Sequence, residues 1–269
     1  MPLLKSVWKR WTRAIHDPIA FPLTVKHYYS FDNLASDLKD DQLCSPESWD
    51  ALRLGHPHFL VPKDRDSWLA DLKKSKDGQD PAVKQRAAEI AHQLKLRGVA
   101  DVHSVGIGCA PLEYYLKISA PSVHLTASDY SSASIARLRR VFVECDQIVE
   151  FDILKGDWRR IQPDPLRSLV LMYRVDPHLS NDQWTSVFKE MHAVGVQNVL
   201  FIPAEILTLH YIALMQKRYW LARFRGVRQQ FTGYERTPKV FKRFWQNLYT
   251  CEEYHLGGLL SFWLHRSIA

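Results

Sequence analysis

Between residues 102 and 203 the chain alternates short apolar-rich runs with longer amphipathic ones. The apolar runs stand at 102–107, 123–128, 148–152, 169–174 and 198–203. Runs of this length, rich in Val, Ile and Leu and bounded by turn residues, predict strands buried on both faces. Between them, 111–118, 132–144 and 182–193 repeat apolar residues at helical spacing and predict helices. Strand and helix in regular succession predict a doubly wound α/β domain, a parallel sheet with right-handed crossovers and helices on both faces. Upstream, Asp80-Pro81 opens a helix whose Val83, Ala87, Ile90 and Leu94 share one face, and Gly98 ends it. Downstream, runs at 248–256 and 259–265 flank Gly257-Gly258, the pattern of a tight hairpin. The sheet is therefore expected to end in an antiparallel pair.

The flanks are less regular. Residues 1–80 are turn-rich and read as a helical N-terminal extension or lid, with the main domain at 81–269 and a helical insertion at 205–247. Leu4, Val7, Trp8, Trp11 and Ile15 make 3–16 an amphipathic helix with a basic polar face. It packs on the main domain or makes peripheral contact with a membrane surface. Trp68, Leu69 and Leu72 mark another short helix, and 73–78 a solvated linker.

Composition changes this picture little. A chain of 269 residues with 46% hydrophobic and 24% charged positions is an ordinary globular one. Its net charge of +7 favours contact with anions. The cysteines, Cys44, Cys109, Cys145 and Cys251, form no CxxC pair and fit a reduced, cytoplasmic setting. No apolar run approaches the roughly 20 residues that span a bilayer. Lys5, Lys9, Arg10 and Arg13 interrupt the place where the apolar core of a signal peptide would stand.

The chemistry concentrates at 102–129. Gly106 and Gly108 follow the first strand and precede a helix, and Asp129 ends the next strand 23 positions beyond Gly106. That spacing sets an acid against the ribose hydroxyls of an adenosine-containing ligand, beside a turn that lets the ligand approach the main chain. A dinucleotide site would need a third glycine where Pro111 stands, and proline has no N–H to offer a pyrophosphate.

In these residues the chain resembles the class I S-adenosylmethionine-dependent methyltransferases. Gly106-Ile-Gly108-Cys-Ala110 is similar to that family's first motif, with Ala110 where a third glycine is usual. The resemblance runs from about residue 82 to the C-terminus and implies a Rossmann-like, seven-stranded mixed sheet with S-adenosyl-L-methionine as cofactor. It implies that Asp129 meets the ribose, that Tyr130 also borders the cofactor and that Phe151-Asp152-Ile153 meets the adenine. It also implies that Leu169–Leu179, with Tyr173, faces the methyl group. The family often carries an acid two positions before the first glycine, where this chain has Ser104; Glu113 or a main-chain carbonyl is the substitute.

Methyl transfer to a hydroxyl also needs a proton acceptor. His178, just past the fourth strand at the carboxyl edge, is the leading candidate, with Tyr173 and Asp176 as alternatives. The basic and aromatic stretch 205–247 is expected to recognise the acceptor through His210, Tyr211, Tyr234 and Arg236. The expected acceptor is a small molecule methylated at oxygen, one that bears a sugar or phosphate in some readings. Nucleic acid is the disfavoured partner: no RNA-binding module is present and Tyr173-Arg-Val-Asp176 replaces the Asn-Pro-Pro-aromatic signature of base-amino methylation. A non-catalytic binding protein is the third reading, kept open by Ser104 and Ala110. His56 and His58 lack partners for a metal site, so no metal is expected and a lid role is preferred.

Overall fold

The computed structural model describes residues 15–30, 60–74, 81–161, 164, 166–227 and 229–267. Most of the helix expected at 3–16, together with His56 and His58, lies outside the described residues. The described chain begins with strand β1 (Thr24–Ser30) and helices α1 (Arg65–Lys74) and α2 (Pro81–Leu96). The alternating part follows as β2 (Asp101–Val105), α3 (Pro111–Ser119), β3 (His124–Asp129), α4 (Ser132–Val141), β4 (Gln147–Glu150), β5 (Ser168–Tyr173), α5 (Asn181–Ala193) and β6 (Asn198–Ile202). Then come α6 (Leu209–Phe224), β7 (Gln229–Arg236), α7 (Pro238–Trp245), β8 (Tyr249–Leu256) and β9 (Leu259–Arg266).

Seven strands form one sheet in the order β4-β3-β2-β5-β6-β9-β8. The first five are parallel, and β9 runs antiparallel to both β6 and β8. This is the expected mixed sheet with its terminal hairpin. Gly257 and Gly258 turn it with φ of 53° and 81°, the left-handed pair that matches strand twist in a two-residue loop. A Cβ on Gly257 would stand 2.6 Å from the Ala82 carbonyl oxygen, so α2 closes directly over the hairpin.

Each face of the sheet has its own core. Val102, Leu125, Leu169, Leu171 and Leu200 pack under Ala87, Ile90, Leu112, Leu116, Ile135 and Leu138 of α2, α3 and α4. On the other face Val170, Met172, Val199 and Phe201 meet Trp184, Phe188, Phe241 and Trp245 of α5 and α7. The strands are apolar on both sides because both sides are covered. Local signals end the helices where the sequence places them. Ser180 and Gln183 form a reciprocal capping box on α5, and Ser131 accepts the Ser134 N–H at the start of α4.

Two stretches correct the sequence reading. β1 lies in the segment read as a helical extension and β7 in the insertion read as helical. They pair with each other as a separate antiparallel ribbon. Each is only half of a small sheet whose partner lies some two hundred residues away, so neither carries a local signal strong enough to oppose its aromatic, basic neighbours. Gly233 in β7 (φ 135°) sits where a Cβ would be 2.2 Å from the Pro177 carbonyl oxygen, so the ribbon rests on the turn after β5.

Helix α1 belongs to the main body. Trp68 is wholly buried between Tyr114 and Phe142, and its indole N–H donates to the Cys109 carbonyl at 3.0 Å. Arg137 donates to the Val61 carbonyl at 2.8 Å, and Arg65 pairs with Glu144. Burying a side chain of this size contributes about 3 kcal/mol, and here it also anchors the glycine turn from behind.

Candidate cofactor and acceptor site

Crossovers leave β2 and β5 in opposite directions along the sheet, and the crevice between such strands is where open α/β sheets bind ligands. The glycine turn occupies it. Gly106 N–H and Ile107 N–H both donate to the Ser128 carbonyl, at 2.8 and 3.2 Å, which ties the turn to the end of β3. Gly106, Gly108 and Ala110 all have positive φ, 71°, 55° and 61°. Ala110 thus adopts the conformation a glycine would take without strain, at a cost of roughly 1–2 kcal/mol. A Cβ on Gly106 would lie 2.4 Å from Val175 Cγ1, so the turn after β5 presses on the glycine turn.

Asp129 is 2% exposed and holds this arrangement. Its Oδ2 accepts the Gly108 N–H at 3.0 Å and its Oδ1 the Ser131 N–H at 2.9 Å. An ionised carboxylate has roughly four acceptor sites, so holding the turn and receiving a ribose hydroxyl are compatible roles. Ser131, not Asp129, caps α4. Tyr130 follows Asp129, half-buried. Further along the edge the Asp152 carboxylate accepts the Leu154 N–H at 2.8 Å and shapes the turn through Ile153, which packs on the second core.

Ser104 is wholly buried and donates its hydroxyl to Glu113 Oε1 at 2.6 Å. A carboxyl from the first turn of α3 thus lies against the Ser104 hydroxyl. Burial pushes the Glu113 carboxyl up to about 7; the Ser104 hydroxyl works in the other direction, and the nearby Asp129 charge raises it further.

Tyr173 ends β5 half-buried, with its hydroxyl accepting Arg86 Nη1–H at 2.9 Å. Arg86 is 3% exposed and also donates to the Leu256 and Gly257 carbonyls, both at 3.0 Å. One guanidinium thus fixes Tyr173 against α2 and the hairpin. Arg174 follows with φ of 58°, a left-handed conformation unusual outside glycine and common at functional edges. His178 sits half-buried in the 3₁₀ turn Asp176–His178.

Asp176 and Arg236 are both buried. Asp176, expected as an alternative base, is wholly buried, and its Oδ1 accepts the Ala204 N–H at 2.6 Å. Burial raises its carboxyl to about 7. It joins the ends of β5 and β6. Arg236, expected to bind acceptor, is equally buried. Its guanidinium donates to the carbonyls of Asp176 (2.7 Å), Tyr234 (3.2 Å) and Leu179 and to Asn181 Oδ1 (2.8 Å). It clamps β7 onto the turn after β5.

The remaining acceptor residues are partly gathered. Tyr211 reaches Glu235 Oε1 at 3.4 Å, and His27 Nδ1 lies 3.6 Å from the same oxygen. Glu235 is 3% exposed, and burial, with Asp176 and Glu205 close by, raises its carboxyl to about 8. Tyr234 packs edge-on against Phe231. His210 stands apart, exposed at the start of α6, with its ring 4.3 Å from that of His16. His27 also lines an open cleft of about 170 Å³ with Lys26, Tyr28, Met215, Gln216 and Tyr219. Among the described residues no group of three or more His, Cys, Asp or Glu is placed to hold a metal ion, and no helix is long and apolar enough to cross a membrane.

Arg86, His27 and Glu235 were missed by sequence reasoning. Arg86 had a signal: it stands on the apolar face of α2 between Val83 and Ile90, where a charge needs a buried partner. His27 and Glu235 had none, since the ribbon that unites them was not foreseen.

The order and direction of the seven strands form a fold also seen in solved methyltransferases. Among solved structures, human N-acetylserotonin methyltransferase in complex with SAM is similar at 16% identity with a TM-score of 0.52, over 76% of this chain and 57% of that one. The mitomycin 7-O-methyltransferase MmcR is similar at 14% identity with a TM-score of 0.51, over 86% of this chain and 74% of that one. The chain thus spans little more than half the length of the human enzyme. No family profile matches the chain, and no curated protein matches it in sequence.

Proposed function

We propose that the protein transfers a methyl group from S-adenosylmethionine to an oxygen of a small-molecule acceptor. The observation that carries this reading is the convergence of Gly106, Gly108 and Asp129 at the switch point, with Asp129 bonded to the turn. It is supported by the likeness in fold to two methyltransferases. When bound, the cofactor supplies a methyl group already activated by its sulfonium, so the protein's task is mainly positioning. Asp129 receives the ribose hydroxyls, and Ser104 orients Glu113 toward the methionine ammonium. The turn from Asp152 to Ile153 borders the adenine. Tyr173, held by Arg86, walls the methyl pocket, and His178 takes the acceptor proton. Tyr211 and Tyr234 border the acceptor. Among the described residues Cys109, Cys145 and Cys251 form no disulfide, which fits a cytoplasmic setting.

Calorimetry with S-adenosylmethionine and its demethylated product tests the reading. Measurable binding is expected, and Asp129→Ala weakens it at least about tenfold, or 1.4 kcal/mol. Asp129→Asn, which keeps one acceptor oxygen for the turn, falls between. An unchanged dissociation constant in the alanine variant removes the ribose role, and no heat with the parent protein removes the cofactor.

Glu113→Gln separates binding from stability. A carboxyl raised from 4.5 to about 7 by folding is protonated in the fold, yet ionised in the unfolded chain, between those values. Its contribution to stability is full below the lower value and is lost as pH rises to the upper one. Glutamine removes that loss. The variant is expected to melt higher than the parent at pH 8 and alike at pH 4. The parent's cofactor affinity is expected to tighten as pH rises through 7, and the variant's to be about tenfold weaker above pH 7 and flat. A parental pH profile retained in the variant assigns the ammonium to another group.

A further inference from the structure

Helix α6 is apolar on two opposite sides. Its inner side, with Met215 buried and Tyr211 and Ile212 beside it, packs on Ile19, Leu23, Val25 and Leu207. Its outer side presents Leu209 (54% exposed), Trp220 (50%), Leu221 (44%) and Phe224 (83%). Leu209, Ala213, Trp220 and Phe224 fall on one stripe at helical spacing. The rings of Trp220 and Phe224 lie 6.3 Å apart, and the Arg223 guanidinium lies 5.9 Å from the Trp220 ring. Single exposed apolar side chains are ordinary. A helix apolar on both sides is one that meets a second covering.

Charge indicates what covers it. Lys217, Arg218, Arg223 and Arg225 are all exposed, and between Glu205 and Glu235 the sequence holds no acid. A second copy of the chain would set these cations against each other. Nucleic acid would use the rings of Trp220 and Phe224 but has no use for Leu209 and Leu221. An anionic lipid surface suits both sets, because aromatic and aliphatic groups enter the acyl boundary while Lys and Arg remain with the phosphates. We propose that the outer side of α6 docks the protein peripherally on an anionic membrane surface. This stands apart from the cofactor site and does not depend on it.

The test uses the full chain with vesicles of phosphatidylcholine alone or mixed with phosphatidylserine. Sedimentation with the mixed vesicles, and much less with the neutral ones, is expected. A Trp220→Ser/Phe224→Ser variant is expected to lose about tenfold in vesicle affinity with an unchanged melting midpoint, since both side chains are exposed. Arg223→Gln/Arg225→Gln is expected to lose most of the preference for anionic lipid. Each of four results overturns the proposal: no sedimentation with either vesicle; undiminished binding by the aromatic variant; a clearly lowered midpoint in that variant, which would mean another part of the chain covers the stripe; or a dimer in the parent that the variant dissolves.

Discussion

Arg236→Ala is expected to cost about 3–5 kcal/mol of folding stability, most of what a domain of ordinary stability has to lose. The side chain is wholly buried, and its guanidinium serves three main-chain carbonyls and Asn181. Alanine leaves the Leu179 and Tyr234 carbonyls without the Arg236 donor, at about 1–3 kcal/mol for each one left bare, while the Asp176 carbonyl keeps the Trp184 indole N–H and the exposed Asn181 turns to water. It also removes a positive charge beside Asp176 and Glu235, both buried. Lysine is expected to rescue little, since one ammonium cannot reproduce a planar fork directed at several carbonyls. Denaturant titration of the parent, Arg236→Ala and Arg236→Lys measures this. Unchanged midpoints would return Arg236 to the acceptor pocket where sequence reasoning put it.

His178→Ala is expected to lower turnover about 100-fold, the lower end of what a positioned general base supplies, while donor affinity changes little. Of the three candidates on this edge, Asp176 is wholly buried and bonded to Ala204 N–H. Tyr173 has its hydroxyl engaged by Arg86. His178 sits half-buried on the turn whose Val175 presses on Gly106. An imidazole titrates near neutrality and can take a hydroxyl proton without burial to tune it. The measurement is single-turnover transfer to a hydroxyl acceptor found by screening, with donor affinity determined by calorimetry on the same variant. Full activity in His178→Ala would place the base elsewhere, with the His27–Glu235 pair, 3.6 Å apart, as the next candidate.

The sheet was legible because its strands are buried on both faces. Strands such as 169–174 show as apolar runs whatever their neighbours are, and Gly257-Gly258 announces its own turn. The ribbon was not legible. Val25, His27 and Tyr29 alternate with polar and aromatic residues in a seven-residue strand, and only Phe231, Tyr234 and Arg236 across the gap give that alternation meaning. The site divides in the same way. Gly106, Gly108 and Asp129 follow from local backbone demands and a fixed crossover length. Glu113 was visible only as one substitute among others for the acid missing at position 104, and only the fold sets it against the Ser104 hydroxyl.

By itself, then, the sequence determined the strand and helix succession, the left-handed turn between β2 and α3 and the acid at the end of β3. Each of these depends on burial pattern or backbone conformation within about 30 consecutive residues. Tertiary structure decided which polar side chains remain available. Asp176 and Arg236 carry the same chemistry as an exposed acid and an exposed arginine. They differ because β7 crosses the end of β5 and removes both from water, and desolvation by a distant segment leaves no mark on the residues it buries.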